Sequence, residues 1–240
     1  MDLAGYVALT RVSGLARELQ SVANNIANLS TTGYRREGVV FAEMVEALPV
    51  EGGSVAMTAA RGRYVDELQG ALDETGGTLD LAIEGEGYFT VMTPAGERLT
   101  RAGAFTRDGD GTIVNMDGHA LLDEGGGAIA IPFEARHVNV SADGTISADG
   151  APVARVGLVT VEDRIKLFRE AGVLFRADAA PTPVEGGRVL QGFLEQSNVN
   201  PVAELARMVE VQRAYEYGQK LMDTEDERIR LVVRTLGQQG

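Results

Sequence analysis

Apolar residues recur at heptad spacing at both ends of the chain, and this pattern limits the possible folds more than any other feature. The intervals alternate between three and four residues near the start and again near the finish. Such a repeat keeps one face of a helix turned toward a partner helix. The predicted seam residues are Val12, Leu15, Leu19, Val22, Ile26 and Leu29 in the first helix and Leu205, Met208, Gln212, Tyr215, Gln219, Met222, Ile229, Val233 and Leu236 in the second.

Three positions of the second seam are polar, namely Gln212, Gln219 and Asp226. Polar residues in a seam weaken a two-helix pairing but favour a single register. The alternative is that these side chains face solvent. Both interpretations stay open at the level of sequence.

The ends of the two helices have recognisable signals. The first helix is predicted over about residues 3–28, because Gly33 can take the left-handed backbone that ends a helix. The last is predicted over residues 201–236, with Asn200 as its N-cap and Pro201 at its first position. These lengths correspond to rods of roughly 40 Å and 54 Å.

The middle of the chain has a different character. From residue 79 onward, short apolar runs alternate with Gly- and Asp-rich turns, which is typical of antiparallel strands. The predicted fold class is therefore α+β, with long N- and C-terminal helices packed as a coiled-coil layer and a central antiparallel all-β domain. The predicted ranges are an N-terminal helical segment 1–37, an extended connector 38–78, a β domain 79–187 and a C-terminal segment with its helix 188–240.

Charge and composition exclude several classes of protein. The net charge of −13 lies in residues 38–198, which hold twelve Lys and Arg against twenty-five Asp and Glu. An acidic body argues against nucleic-acid binding, which needs clustered Lys and Arg. No run approaches the roughly 20 apolar residues of a membrane span. The opening MDLAGYVALTRV has neither a basic leader nor a long apolar core, so no cleaved signal peptide is expected.

Two motifs resemble ligand-binding loops but lack residues that such loops require. Residues 108–119 begin like a calcium loop, but the sixth position is Ile113 and the twelfth is His119, so a turn between strands is expected. Residues 84–89 begin like a dinucleotide fingerprint but lack its third glycine, and a hairpin is expected there. Neither His119 nor His137 accompanies a nucleophile pattern. There are no cysteines to bind a metal. We therefore expect no catalytic, metal or cofactor site.

Four blocks resemble the bacterial flagellar rod and hook proteins. They are ANNIANLSTTGYRRE at 23–37, LDLAIEGEGYF at 79–89, the segment 99–122 and the segment 189–229. Chain length and the C-terminal ending are most similar to the proximal-rod members of that family, and a distal-rod or hook-type subunit is the alternative.

The resemblance implies a structural, non-enzymatic subunit that polymerises helically into the drive shaft between motor and hook. In that family the terminal helices form the inner coiled-coil layer, with the β domain outside. The implied partners are further copies of the chain, other rod subunits and the flagellar export apparatus. The implied location is the basal-body rod, where it crosses the periplasm.

Within the first block, Asn24, Asn25 and Asn28 are poor residues for a helix interior, because their amides compete for backbone groups. We expect them to hydrogen-bond to the companion helix or to a neighbouring subunit, the alternative being simple fraying before Gly33. Tyr34 is expected to anchor the chain just beyond the helix. These five residues join the seam residues as the predicted assembly interface.

Two rival functions are compatible with parts of the pattern. A secreted adhesin with a β head and a coiled-coil stalk would be expected to carry a signal or an anchor. A secreted β-rich hydrolase would need a pair of carboxylates in a cleft. Neither feature is recognisable in the sequence.

Overall fold

The computed structural model describes residues 3–47, 54–161, 167–184 and 186–237, and in these residues the chain forms two helices and eighteen strands. In chain order the elements are α1 (Leu3–Ala27), β1 (Glu37–Ala47), β2 (Ser54–Val65), β3 (Leu72–Glu74), β4 (Leu81–Glu84), β5 (Tyr88–Thr93), β6 (Gly96–Thr100), β7 (Phe105–Arg107), β8 (Ile113–Asn115), β9 (Ala120–Leu121), β10 (Val138–Val140), β11 (Thr145–Ala148), β12 (Ala151–Arg155), β13 (Leu158–Thr160), β14 (Leu167–Ala171), β15 (Leu174–Ala177), β16 (Thr182–Pro183), β17 (Arg188–Gln191), β18 (Phe193–Glu195) and α2 (Pro201–Gly237).

The chain divides into two compact units. The helical unit comprises the described parts of Met1–Ala27, Glu37–Tyr64 and Asn200–Gly240, so it holds α1, α2 and most of the β1–β2 pair. The β unit comprises the described parts of Asn28–Arg36 and Val65–Val199.

The β unit is built from antiparallel ladders of short strands. Its largest sheet runs in the order β14-β15-β6-β5-β9-β8-β7, and β13 pairs with both β5 and β16. A second sheet has the order β10-β11-β12, and the pairs β4–β17 and β3–β18 complete the unit. Side chains from many of these strands meet in one apolar core that includes Leu81, Phe89, Ile113, Leu121 and Ile146. The predicted α+β fold class with an antiparallel β region is confirmed.

The Asp- and Gly-rich segments form the turns. Asp108 lies in the turn between β7 and β8, where its carboxylate accepts hydrogen bonds from the backbone N–H groups of Asp110 and Thr112. The predicted turn between strands at 108–119 is therefore confirmed. The hairpin predicted at residues 84–89 is wrong, because β4 and β5 pair with strands in different sheets and not with each other.

Residues 38–78, predicted as an extended connector, contain strands in both units. β1 and β2 form a two-stranded sheet in the helical unit, whereas β3 pairs with β18 in the β unit. The predicted terminal ranges 1–37 and 188–240 each divide between the two units, because residues 28–36 and 188–199 lie in the β unit.

The helices begin and end close to the predicted positions. α2 starts at Pro201, and the side-chain oxygen of Asn200 accepts hydrogen bonds from the N–H groups of Val202 and Ala203, each at 3.1 Å. Asn200 is thus the N-cap, as predicted. α1 ends at Ala27, and Gly33 has a φ of 68°. Neither helix, over its described length, is apolar enough to cross a bilayer.

Candidate assembly interface

The two helices pack against each other in antiparallel orientation. Arg207 of α2 donates from Nε to Oε1 of Glu18 in α1 at 2.8 Å. One end of the contact joins Asn25 to Glu204, and toward the other end Val12 lies against Gly218. From one end of the contact to the other, residue numbers increase along α1 and decrease along α2, so the two helices are antiparallel.

Gly218 allows the two backbones to approach closely. A Cβ atom built at this position would lie 2.6 Å from Cγ2 of Val12, which is closer than real Cβ atoms come to a neighbour. Only glycine leaves room for Val12, which is itself buried. Small residues at helix contacts shorten the distance between helices.

The face of α2 that packs on α1 follows a heptad lattice. Seven residues at alternating intervals of four and three are buried or half-buried, and Val211 is only 2% exposed. Alternation of this kind keeps one stripe of a long helix against its partner. We call these residues the α2 seam: Glu204, Met208, Val211, Tyr215, Gly218, Met222 and Glu225.

The α2 seam differs from the predicted one at every second position. Met208, Tyr215 and Met222 belong to both, but Leu205, Gln212 and Gln219 are exposed. Their places are taken by the residues one position earlier.

Glu204 and Gly218 explain why the α2 seam differs from the predicted one. A pattern based on apolar residues passes over a buried carboxylate and a glycine, although both lie in the contact. Asp226 is exposed as well, so the polar residues of the predicted seam face away from α1. Val211 lies seven residues from both Glu204 and Gly218, and this apolar residue is the sequence signal that identifies the buried stripe of α2.

Asn25 joins three elements of the helical unit. Its Nδ2 donates to the backbone oxygen of Glu37 at 2.8 Å and to Oε2 of Glu204 at 3.3 Å, and its Oδ1 accepts from the N–H of Glu37 at 2.9 Å. The oxygen of Glu37 also accepts a hydrogen bond from Ser21. Because Asn25 is completely buried, these bonds satisfy an amide that water cannot reach. The structure thus places Asn25 against the companion helix.

The other predicted residues of α1 are buried or half-buried. Val12 and Val22 are 7% and 3% exposed, whereas Leu15, Leu19, Ile26 and Asn24 are half-buried. Asn24 accepts a hydrogen bond from Gln20 within the same helix.

Asn28, Leu29, Gly33 and Tyr34 lie in the β unit, after the end of α1. Asn28 and Leu29 are half-buried, and Asn28 accepts a hydrogen bond from the Thr31 hydroxyl. A Cβ atom at Gly33 would lie 2.2 Å from the backbone nitrogen of Ala102. Both the positive φ and this close approach require glycine.

Tyr34 is an anchor within its own unit. Its side chain is 2% exposed, and the guanidinium of Arg169 stacks over the ring at 4.3 Å, between Tyr34 and Phe175. Arg169 also donates to the backbone oxygen of Arg35 at 2.6 Å. Stacking of this kind fixes a cation between two aromatic faces.

A buried charge cluster, missed from the sequence, lies next to these residues. Glu195 pairs with Arg35 at 2.8 Å and with Arg101 at 3.1 Å, and all three side chains are at most 4% exposed. Glu195 also accepts a hydrogen bond from the N–H of Gly70. Arg35 lies inside the ANNIANLSTTGYRRE block, but only folding brings the distant Glu195 and Arg101 close to it.

Burial alters the acid–base properties around this cluster. Removal from water lowers the pKa of Arg101, although the negative charge of Glu195 opposes that effect. Burial, followed by the negative charge of Glu67, raises the pKa of Tyr88, whose ring lies 5.4 Å from the Arg101 guanidinium. Over the described residues, no three His, Asp or Glu side chains converge as a metal site would require.

α2 also carries exposed apolar side chains along its length. Half of the large apolar side chains that are exposed in the described residues belong to this one helix. Three predicted interface residues, Leu205, Ile229 and Val233, are among them, while the side chain of Leu236 lies outside what the structure describes. The exposed set is Val202, Leu205, Val209, Tyr217, Leu221, Ile229, Leu231, Val232 and Val233.

Comparison with known families matches three parts of the chain. Residues 6–35 match the family described as flagella basal body rod protein, and residues 82–148 match the flagellar hook protein FlgE/F/G D1 domain. Residues 190–234 match the flagellar basal body rod FlgEFG protein C-terminal family. The three matches include α1 from residue 6 onward, α2 up to residue 234 and most of the β unit.

Individual proteins are similar over nearly the whole chain. The flagellar basal-body rod protein FlgF of Caulobacter vibrioides is 41% identical, covering 99% of both chains. FlgF of Mesorhizobium japonicum is 34% identical over 97% of both chains. The flagellar basal-body rod protein FlgG of Bacillus subtilis is 34% identical over 95% of this chain and 97% of its own. The chain therefore belongs to the flagellar basal-body rod proteins, a family of structural proteins, and is most like the members named FlgF.

Proposed function

We propose that this chain is a proximal-rod subunit whose two terminal helices form a coiled-coil layer, and that copies and related rod proteins polymerise through it into a helical shaft that transmits torque. The family membership supports a structural rod subunit. The antiparallel α1–α2 pair and the heptad lattice of the α2 seam support the helical layer.

The apolar surface of α2 carries this proposal. One face of the helix packs on α1, yet the remaining faces present large apolar side chains such as Tyr217 at 71% and Leu205 at 53% exposure. Large apolar side chains exposed on more than one face of a helix are typical of a surface that further partners cover. In a polymer, neighbouring subunits supply that cover.

The twenty predicted interface residues take two roles in this proposal. Leu205, Gln212, Gln219, Ile229 and Val233 are exposed and contact neighbouring subunits, as does Leu236 by its place in the repeat. The remaining residues keep each unit in shape: Val12, Leu15, Leu19, Val22, Asn24, Asn25, Ile26, Asn28, Leu29, Gly33, Tyr34, Met208, Tyr215 and Met222.

The assignment to the proximal rod rests on the higher identity to a protein named FlgF, at 41%, than to FlgG, at 34%. We place the chain in the part of the basal body that crosses the periplasm, delivered by the flagellar export apparatus. Family membership is the support for both points.

Complementation tests the proposal. In a Caulobacter vibrioides strain lacking its own FlgF, this chain is expected to restore swimming and intact basal bodies. The variant Leu205→Asp/Val209→Asp is expected to remain folded but to restore neither, because two charges interrupt the exposed face. Met116→Asp is the matched control, since Met116 is an apolar side chain of the β unit with 81% exposure.

The opposite outcomes are clear. Normal swimming of the strain without any complementing chain would contradict the proposed function. Full rescue by the double variant would show that the exposed face of α2 does not bind neighbours.

A further inference from the structure

Three segments of the β unit meet where the chain enters and leaves that unit, and we call them the clasp: residues 33–36, 66–71 and 195–198. The chain passes between the two units four times, after residues 27, 36, 64 and 199. The last three of these crossings each lie within two residues of a clasp segment, and the first leads into the clasp. Force that passes along the backbone from one unit to the other therefore enters the β unit at the clasp.

The first and third segments of the clasp are bonded directly to each other. The N–H of Gly33 donates to the backbone oxygen of Glu195 at 2.7 Å. The N–H of Asn198 donates to the backbone oxygen of Tyr34 at 3.3 Å. The N–H of Arg36 donates to Oδ1 of Asn198 at 2.6 Å. Residue numbers increase in the same direction along both segments, so the two run parallel.

The middle segment joins the other two. Nδ2 of Asn198 donates to the backbone oxygens of Asp66 and Leu68 at 2.9 Å and 2.8 Å. A Cβ atom at Gly70 would lie 1.9 Å from the backbone oxygen of Gln196. Only glycine lets the middle segment come this close to the third, so the three segments are packed without space between them.

The parallel arrangement determines how the clasp responds to force. α1 precedes the first segment at its N-terminal end, and α2 follows the third segment at its C-terminal end. Because these ends lie at opposite ends of the parallel pair, a pull between α1 and α2 slides one segment along the other and does not peel them apart. The hydrogen bonds and the buried Arg35–Glu195 pair then share the force and must break together. Bonds that share a force withstand more of it than bonds that open one at a time.

We propose that the clasp is a force-bearing device: a pull exerted on α1 and α2 passes from residues 33–36 directly to residues 195–198, and the apolar core of the β unit is spared. The inference rests on the proposed function, because a subunit of a shaft under torque experiences such a pull. It assigns a mechanical role to the buried polar groups at the base of the β unit.

Asn198 and Asn115 are a matched pair of sites for a test. Asn198 is half-buried and makes three side-chain hydrogen bonds within the clasp. Asn115 is 7% exposed, and its Oδ1 accepts hydrogen bonds from the N–H groups of Asp117 and His119 in the turn between β8 and β9. Truncation of either asparagine removes buried hydrogen bonds and should destabilise the β unit. Only Asn198 lies between the points at which force enters and leaves.

Optical tweezers measure the force at which the purified full-length chain unfolds. The variants Ser30→Cys and Val202→Cys, combined in one chain, provide the attachment points, since both positions are exposed and the natural chain has no cysteine. Opening of the clasp releases the chain between Arg36 and Glu195, which lengthens the molecule by up to about 550 Å. This large step identifies the event.

We expect Asn198→Ala to lower the force of this event and Asn115→Ala to leave it nearly unchanged, although urea unfolding should show a loss of stability in both. The two readouts differ because forced unfolding depends on the unfolding rate, and not on the equilibrium free energy alone. An unchanged force in Asn198→Ala would overturn the inference, as would equal reductions in the two variants.

Asn198→Asp is the second variant, to be used if circular dichroism shows that Asn198→Ala does not fold. It keeps the oxygen that accepts from the N–H of Arg36 and loses both donors to the middle segment. The same reduction in force is expected, and its absence would contradict the role of the clasp.

Complementation separates a failure of this inference from a failure of the proposed function. In the Caulobacter vibrioides strain that lacks FlgF, Asn198→Ala should restore swimming in ordinary medium but not in medium thickened with a polymer, where the shaft transmits more torque. Asn115→Ala should restore swimming in both. Equal swimming of the two variants in the thick medium would contradict a role of the clasp in the rod, whereas no rescue by the unchanged chain would contradict the proposed function.

Discussion

The β unit and the helical unit differ in how far their apolar side chains are buried. In the β unit, the strands close around a core in which Leu81, Phe89 and Ile113 have no exposed surface. In the helical unit, α2 buries Val211 but exposes apolar side chains over most of its length, including Leu231 and Val232. The β unit thus buries many of its strand side chains in its own core, whereas α2 leaves large apolar side chains exposed along its described length.

The difference shows where each unit obtains its stability. The β unit includes a fully buried ion cluster, formed by Arg35, Arg101 and Glu195. Buried charges of this kind tolerate no loss of a partner. The two helices of the helical unit are joined by one seam and by the Asn25 bonds, and the other faces of α2 are exposed. Substitutions in the first unit should therefore affect folding, and those on exposed faces of the second should affect assembly.

The largest expected effect comes from Glu195→Gln in the β unit. The change leaves two buried arginines without their carboxylate, so the free energy of unfolding should fall by about 3–5 kcal/mol. Urea unfolding followed by circular dichroism measures it. Glu84→Gln is the control, because its pair with Arg188 is about half exposed and should contribute less than about 1 kcal/mol. Equal losses in both variants would mean that the cluster does not hold the β unit together.

A second expected effect concerns Gly33→Ala. The new methyl group meets the backbone of Ala102 and adopts an unfavourable φ, so we expect a loss of more than about 2 kcal/mol. Gly76→Ala isolates the backbone term, since Gly76 has a φ of 70° but open space around it. Thermal unfolding compares the two. If Gly76→Ala proved as costly as Gly33→Ala, the close approach to Ala102 would contribute nothing.

Within the helical unit, Val211→Ala and Leu205→Ala distinguish the two faces of α2. Val211 is 2% exposed, and removal of two buried methyl groups should cost roughly 1–2 kcal/mol of unfolding free energy in the isolated chain. Leu205 is 53% exposed, so its truncation should cost only a few tenths of a kcal/mol, roughly the level of ordinary surface substitutions. Urea unfolding of the monomer gives both values. A larger loss from Leu205→Ala than from Val211→Ala would support the seam predicted from the sequence and contradict the α2 seam of the structure.

The smallest expected effect is a dependence on alkaline pH. Burial raises the pKa of Tyr88 above its usual value of 10.0, so the unfolded chain loses this proton first as pH rises. The native state then binds more protons than the unfolded state, and the free energy of unfolding falls with increasing pH in this range. Denaturation between about pH 9 and pH 11 tests the slope, and Tyr88→Phe should flatten it. An unchanged slope in that variant would assign the alkaline loss to other groups.

Much of the architecture was accessible from local signals. Asn200 and Pro201 predicted the start of α2, and Gly33 predicted the left-handed residue after α1, because capping and backbone conformation depend on adjacent residues. The Asp- and Gly-rich turns likewise predicted antiparallel strands. The hairpin predicted at residues 84–89 is wrong, because the local sequence does not reveal that β4 pairs with the distant β17.

The sequence by itself determined that this chain has a helix at each end, an acidic antiparallel β region between them and the motifs of a flagellar rod family. Only the tertiary structure decided which stripe of α2 faces α1, because the contact includes a buried glutamate and a glycine that no apolar pattern selects. The same holds for Arg35, Arg101 and Glu195, which are far apart along the chain and meet in one buried cluster. Local preferences act over a few residues, whereas contacts between distant segments depend on how the whole chain packs.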